Sequence, residues 1–275
     1  MSPFFWSTFI APMPSETSPL IWRRREPRKR ESTLRLAETE SYVAHGLDVN
    51  ARDRLELLGD LLLSSRTNLT AIKEPLEVER LHFLDSLSLL DLPTVRRASR
   101  IVDVGSGAGF PALVLAIALP EAELVALESH GRKCAFIREA SAELGLSNLS
   151  VECARAEDYG RGLGRGLFDV AASRALASLA VVAELSLPLC KLEGAMVAMK
   201  GSMSDQERTQ GERALAILGA DRMDVVRLHP FVGAENRWVC ISIKMSETGS
   251  LYPRRPGIPA KRPLGAGSGG GSTES

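Results

Sequence analysis

The sequence predicts an α/β fold: a seven-stranded, mostly parallel sheet with one antiparallel strand, behind an N-terminal helical extension. Three observations carry this. Between residues 100 and 245 short apolar runs alternate with helical patterns, as in a parallel sheet covered on both faces. The first run leads into three alternating glycines and a Pro-initiated apolar helix, Val102-Asp-Val-Gly-Ser-Gly-Ala-Gly-Phe-Pro111. That strand–turn–helix joint is where α/β proteins hold nucleotide-like ligands. The last two runs are linked by residues 229–237 alone, too short for a parallel crossover, so one of them is antiparallel.

Four segments are expected in chain order. Residues 1–30 read as an irregular tail closed by an Arg-rich stretch. Residues 31–99 form an N-terminal helical element. Its first part repeats Leu34, Leu36, Tyr42 and Val43 at helical spacing, and its second part Leu55, Leu57, Leu58, Leu61 and Leu62. Gly46 separates the two, and Asp48 or Asn50 is placed to cap the second. A further helix is expected over 74–90.

Residues 100–246 form the sheet domain. The expected strands are 101–104, 123–127, 149–153, 168–172, 195–199, 223–228 and 238–244. Helices are expected over 111–118, 132–144, 176–187 and 204–218, with a weak one at 160–162. Seven strands ending in an antiparallel pair match the class I methyltransferase sheet better than the six-stranded dinucleotide fold. Residues 247–275 form a second tail, basic and Pro-rich and then Gly/Ser-rich, with too much proline up to Leu264 for helix or sheet.

Composition bounds the possibilities. The 275 residues are 44% apolar and 25% charged with zero formal net charge, ordinary for a soluble globular chain. The charge is uneven. Residues 1–30 hold six Lys/Arg and two Glu, and residues 251–275 hold four and one, leaving 24 basic against 31 acidic between them. The basic ends read either as solvated tails or as nucleic-acid contacts. Cys134, Cys153, Cys190 and Cys240 form no C-x-x-C pair, so neither a zinc site nor a disulfide framework is suggested. Each reads as a small buried side chain in a reducing, cytoplasmic setting. No run approaches a membrane span. The early apolar patches carry their basic charge after them and are broken by proline, unlike a signal peptide.

The chemistry gathers at the strand ends. Gly105, Gly107 and Gly109 let the backbone turn sharply and approach a ligand. Asp103, two residues earlier, would repel a pyrophosphate but suits the cationic amino-acid end of S-adenosylmethionine. Free N–H groups at the helix start would suit that ligand's carboxylate. Gly107-Ala-Gly-Phe-Pro-Ala112 also fits a dinucleotide fingerprint, against which Asp103 and the strand count argue. Glu128 ends the second strand, where an acid holds ribose hydroxyls; a surface carboxylate is the plain alternative. Residues 154–158 follow the third strand and are placed for an adenine ring, through the Glu157 N–H or a side-chain acid, or else form a solvated charge cluster.

Ser173-Arg-Ala-Leu176 follows the fourth strand, at the expected methyl-transfer site. It contains no Asn-Pro-Pro-Tyr or Asp-Pro-Pro-Tyr sequence, the kind that serves exocyclic amino groups. A ring nitrogen with a free lone pair needs little help from a base, so orientation is the enzyme's task. His82 is either a packed histidine or a substrate contact, with Asp85 as its partner or a surface acid. Lys200 is either a phosphate contact or solvated. No Cys nucleophile with a base is visible.

These motifs, with Asn68-Leu-Thr-Ala-Ile72, His82-Phe-Leu-Asp-Ser86, Glu128-Ser-His-Gly-Arg-Lys133, Met199-Lys-Gly201 and Tyr252-Pro-Arg-Arg-Pro-Gly-Ile-Pro259, resemble the ribosomal RNA small-subunit methyltransferase G family, also called glucose-inhibited division protein B. The resemblance covers about residues 33–264. It implies a bacterial cytoplasmic enzyme that methylates N7 of a guanine in 16S rRNA with S-adenosylmethionine, acting on the rRNA or the small ribosomal subunit. Carried over by position, the cofactor contacts are Gly105, Phe110, Glu128, Ala156, Glu157 and Arg174. Ala112 stands where a glycine is common after the Phe-Pro pair. No catalytic residue, metal or oligomer is implied.

Overall fold

The structure, a computed structural model, describes residues 32–65, 67 and 69–266. The expected tail over 1–30, Asn68 and residues 267–275 lie outside the described residues.

Among the described residues seven strands form one sheet: β1 Arg100–Val104, β2 Glu123–Glu128, β3 Leu149–Cys153, β4 Phe168–Arg174, β5 Cys190–Lys200, β6 Asp224–Arg227 and β7 Trp238–Ile243. Their order is β3-β2-β1-β4-β5-β7-β6. The pairs among β1 to β5 are parallel, and β7 runs antiparallel to both β5 and β6. β7 is therefore the single reversed strand, as expected. The strand order switches direction between β1 and β4, which opens a crevice at the carboxyl ends of the strands.

The helices are α1 Thr39–Ala44, α2 Val49–Ser64, α3 Pro75–Val78, α4 Asp85–Leu87, α5 Pro93–Arg96, α6 Ala112–Ala118, α7 Gly131–Glu143, α8 Ala156–Arg161, α9 Leu179–Ser186, α10 Asp205–Leu218 and α11 Ile258–Lys261. Side chains alternate across each strand, and this divides the core. Ile101, Ala126, Val170 and Val197 face α2, α6 and α7, while Val102, Leu127, Ala171, Met196 and Ala198 face α9 and α10. The helical extension shares the first of these cores, so it is not a separate unit.

Several elements depart from expectation. Leu34 and Leu36 precede α1 in non-helical backbone. There Asp60 accepts the N–H groups of Thr33 and Leu34, and Glu56 accepts that of Leu36. Their apolar spacing reflects packing on α2, where a Cβ at Gly59 would lie 2.5 Å from Cδ1 of Leu34. Asp48, not Asn50, caps α2, accepting from Ala51 N–H. The helix expected over 74–90 is a run of short pieces, with a π-helical turn at Glu79–Leu84 and a 3₁₀ turn at Ser88–Asp91. The weak helix at 160–162 is α8, which starts earlier. Cys134, Cys190 and Cys240 are buried, but Cys153 is exposed, because it ends an edge strand.

Residues 248–262 also differ from a loose tail. They dock on the domain and include α11, with proline tolerated in its first turn. No helix among the described residues is long and apolar enough to cross a membrane.

Candidate active site

The glycine loop is laced onto the end of β2. The N–H groups of Gly105 and Ser106 both donate to the Leu127 carbonyl, at 2.8 and 3.1 Å. Gly105 has φ +75°, and a Cβ there would lie 2.5 Å from Cδ1 of Leu176. Both conformation and space therefore call for glycine.

Asp103 is buried, and its Oδ2 accepts the Ala112 N–H at 3.1 Å. Burial pushes its carboxyl up to about 6, against the pull of that N–H and of Ser106. The acid lies beneath the loop: Oδ2 holds the start of α6, so that N–H is not spare for a ligand, while Oδ1 is buried without a hydrogen-bond partner among the described residues.

Glu128 ends β2 as expected, and it organises the site. Oε1 accepts the N–H groups of Ser129 and His130, each at 2.8 Å, and Oε2 accepts Gly107 N–H at 2.8 Å. Burial opposes its ionisation, but the N–H groups of His130 and Gly107 outweigh it and hold the carboxyl below its usual value. Among the described residues Oε2 takes only that one donor, so it keeps a lone pair for a hydroxyl.

A cavity of about 480 Å³ opens at the ends of β1, β2 and β4, within the size range of small-ligand clefts, roughly 300–1,000 Å³. Gly105, Glu128, Ala156, Glu157 and Arg174 border it, with Val104, Leu127, Leu176 and Val181 as apolar wall. Ala156 and Glu157 belong to the first turn of α8, whose leading N–H groups have no helical carbonyl to bond. Gly257, Pro259 and Ala260 close another side. Sequence reasoning missed these three because it assigned them to a tail; the sharp turn signalled by Pro256-Gly257 was the available clue.

Phe110 is the one carried-over residue that does not border the cavity. It is buried behind it, stacked on His82 with ring centroids 4.5 Å apart, and the Arg174 guanidinium lies 5.6 Å from its ring. Arg174 donates to the Leu81 carbonyl at 2.7 Å, to His82 Nδ1 at 3.0 Å and to Asp85 at 3.3 Å. Asp85 pairs also with Arg237 at 3.0 Å, so its partners are arginines and not His82. Burial and then the Arg174 charge lower His82 to about 3, a neutral ring in the native protein. Lys200 is neither solvated nor free for phosphate: it donates to the Ala177 carbonyl and pairs with Glu207 at 2.8 Å.

Residues 55–233 match the family model described as rRNA small subunit methyltransferase G. The chain belongs to that family. It is 44% identical over 226 residues to the "Ribosomal RNA small subunit methyltransferase G" of Rubrobacter xylanophilus, covering 79% of this chain and 86% of the relative. The protein of the same name from Moorella thermoacetica is 42% identical over 213 residues, covering 76% and 89%. Among solved structures, a SAM-dependent O-methyltransferase from Thermotoga maritima is similar in fold, with TM-score 0.50, 17% identity, and 70% and 72% of the two chains covered. The sheet is thus that of a class I S-adenosylmethionine-dependent methyltransferase.

The cavity of this family member fits S-adenosylmethionine. A Cβ at Gly107 would meet nothing nearer than the Gly105 carbonyl at 4.0 Å, so the backbone there can be approached closely. Glu128 Oε2 keeps an acceptor that would suit a ribose hydroxyl, and Gly105, Ala156, Glu157 and Arg174 border the rest of the cavity. When bound, the group supplies a sulfonium-activated methyl.

Proposed function

We propose that this protein methylates N7 of a guanine in 16S rRNA, with S-adenosylmethionine held by Gly105, Glu128, Ala156, Glu157 and Arg174 and Phe110 supporting them from behind. The observation that carries the reading is the convergence of the glycine loop, Glu128 and Arg174 on one cavity in a chain of this family. The state of the neighbouring groups supports N7. Both ring nitrogens of His82 are engaged, and Asp103 is enclosed beneath the loop. Neither is placed as a general base, and a ring nitrogen with an available lone pair needs none. Methyl transfer then rests on orientation and proximity. Arg174, tied to Leu81, His82 and Asp85, holds the β4 loop where the base must enter. Exposed Arg155, Arg255, Lys261 and Arg262 offer charges for RNA phosphates. A cytoplasmic setting and a substrate of rRNA or small subunit belong to the same reading.

The test is transfer of labelled methyl to 16S rRNA by the purified protein, with mapping of N7-methylguanine in 16S rRNA from cells lacking it. One N7-methylguanine should disappear. An unchanged complement would reject the reading.

A further inference from the structure

Past Ser246 the chain turns back over the domain and is fastened at several points. Arg165 donates to the carbonyls of Thr248 and Tyr252, the latter at 2.7 Å. Pro253 lies against α8, where a Cβ on Gly160 would sit 3.3 Å from Pro253 Cγ. Arg254 then meets Glu184 on α9, whose side chain is fully buried. Oε1 of Glu184 accepts the backbone N–H and Nε of Arg254, each at 2.8 Å, and Oε2 accepts a terminal nitrogen at 2.6 Å. Finally Gly257, with φ +80°, donates its N–H to Glu157 Oε1 at 2.8 Å. The segment so held delivers Gly257, Pro259 and Ala260 to the cavity edge beside Glu157.

A carboxylate with no solvent exposure requires a partner, and removing that partner leaves an uncompensated charge. The guanidinium fork meets both oxygens and the backbone at once, which a lysine cannot do. This places unusual bonding strength at a point that does not itself touch the cavity. Arg254 also donates to the Arg262 carbonyl at 2.7 Å, so the same side chain closes the loop 254–262 on itself.

We propose that Glu184 and Arg254 are positioning residues that fasten residues 253–260 as a wall of the methyl-donor cavity. Donor affinity therefore depends on an ion pair that touches no donor atom. This rests on the reading of the cavity as an S-adenosylmethionine site. It also divides the basic segment by role: Arg254 serves the fold of the cavity, while Arg255, Lys261 and Arg262 are exposed.

The test measures calorimetric affinity of the full chain for S-adenosylhomocysteine without RNA, alongside KM for RNA. Arg254→Ala should weaken that affinity at least about tenfold, and Arg254→Lys less, since breaking a buried pair is costly. KM for RNA at saturating donor should rise by less than the donor affinity falls, because Arg254 also closes the loop that carries Arg255, Lys261 and Arg262. Unchanged S-adenosylhomocysteine affinity with a raised KM for RNA would overturn the proposal in favour of a phosphate contact. Amide exchange on the wild-type chain avoids any folding defect of the variants: S-adenosylhomocysteine should protect residues 254–262, and absence of protection would sink the wall. Wild-type protein that binds no S-adenosylhomocysteine would overturn the cofactor reading itself, and the wall with it.

Discussion

The guanidinium of Arg174 donates to Nδ1 of His82 at 3.0 Å, and this contact sets the tautomer of the histidine. A guanidinium has only donors, so Nδ1 is bare and the proton sits on Nε2. Nε2–H then donates to Thr70 Oγ1 at 3.1 Å, and that oxygen also accepts the Ile72 N–H. A residue at the end of β4 is thereby wired through a π-helical turn to the loop before it.

The contact predicts a pH response. His82 is lowered to about 3 by burial and then Arg174, against an unfolded value near 6.5. The unfolded chain binds the proton first, so stability is full above about 6.5 and falls as pH falls toward 3. At pH 5 this single group accounts for roughly 2 kcal/mol. Asp103, raised to about 6 by burial, acts with the opposite sign between that value and the unfolded carboxylate near 4. Urea unfolding of His82→Gln should therefore show a smaller loss between pH 7 and 5 than wild type. Parallel losses in the two proteins would refute the neutral state assigned to His82.

Arg174→Ala should lower kcat about 100-fold, the scale of a lost positioning contact. It frees the β4 loop from Leu81 and His82 and leaves Asp85 with Arg237. Arg174→Lys should recover little, because one ammonium cannot serve three acceptors in a fork. Single-turnover kinetics at saturating donor and RNA check this; near-normal turnover in the lysine variant would mean that charge alone matters.

Glu128→Gln should abolish tight donor binding although it is isosteric. The carboxylate accepts N–H groups on both oxygens, so an amide nitrogen meets a donor whichever way it turns. The clash should cost about 1–3 kcal/mol in stability, read by thermal unfolding, with S-adenosylhomocysteine affinity falling in parallel. Wild-type affinity would show that the loop tolerates an amide there.

Gly105→Ala combines a left-handed φ with a collision at Leu176 and should destabilise by about 1–3 kcal/mol. The second half of that cost is separable. Gly105→Ala in a Leu176→Ala background should recover donor affinity lost to the displaced leucine while keeping the backbone strain. Equal affinities in the single and double variants would place the whole effect in φ.

The outward cations predict a salt response. Neutralising Arg255, Lys261 and Arg262 together should reduce the salt slope of RNA binding by about 2–3. Lys200→Met should leave the slope unchanged, because Glu207 and the Ala177 carbonyl already hold that ammonium. A slope that responds only to Lys200 would invert this assignment.

What could be read in advance follows from how local each signal is. The strand–glycine–helix joint at Val104–Ala112 and the reversed last strand are written in adjacent residues, and both stand. β5 begins at Cys190, earlier than its apolar run, because Lys191 and Glu193 interrupt the pattern while the backbone still pairs. The π-helical turn has no period of its own in a sequence. Glu128 was legible because its place at a strand end implies its role. The pairs Arg174–His82 and Glu184–Arg254 were not, since they join residues far apart in the chain and no spacing rule connects them. Asp103 was read by position, and no local signal foretold that one of its oxygens is taken by the Ala112 N–H, nine residues on.

The cavity wall at Gly257–Ala260 bears on how the protein comes into being. The other walls, from Val104 through Leu185, are made earlier in translation, and the sheet edge of β6 and β7 follows them. Only when the chain has been extended past Ala260 can the last side close. A nascent polypeptide long enough to form its glycine loop therefore still lacks this side of the crevice, because Gly257, Pro259 and Ala260 follow every other lining residue in chain order.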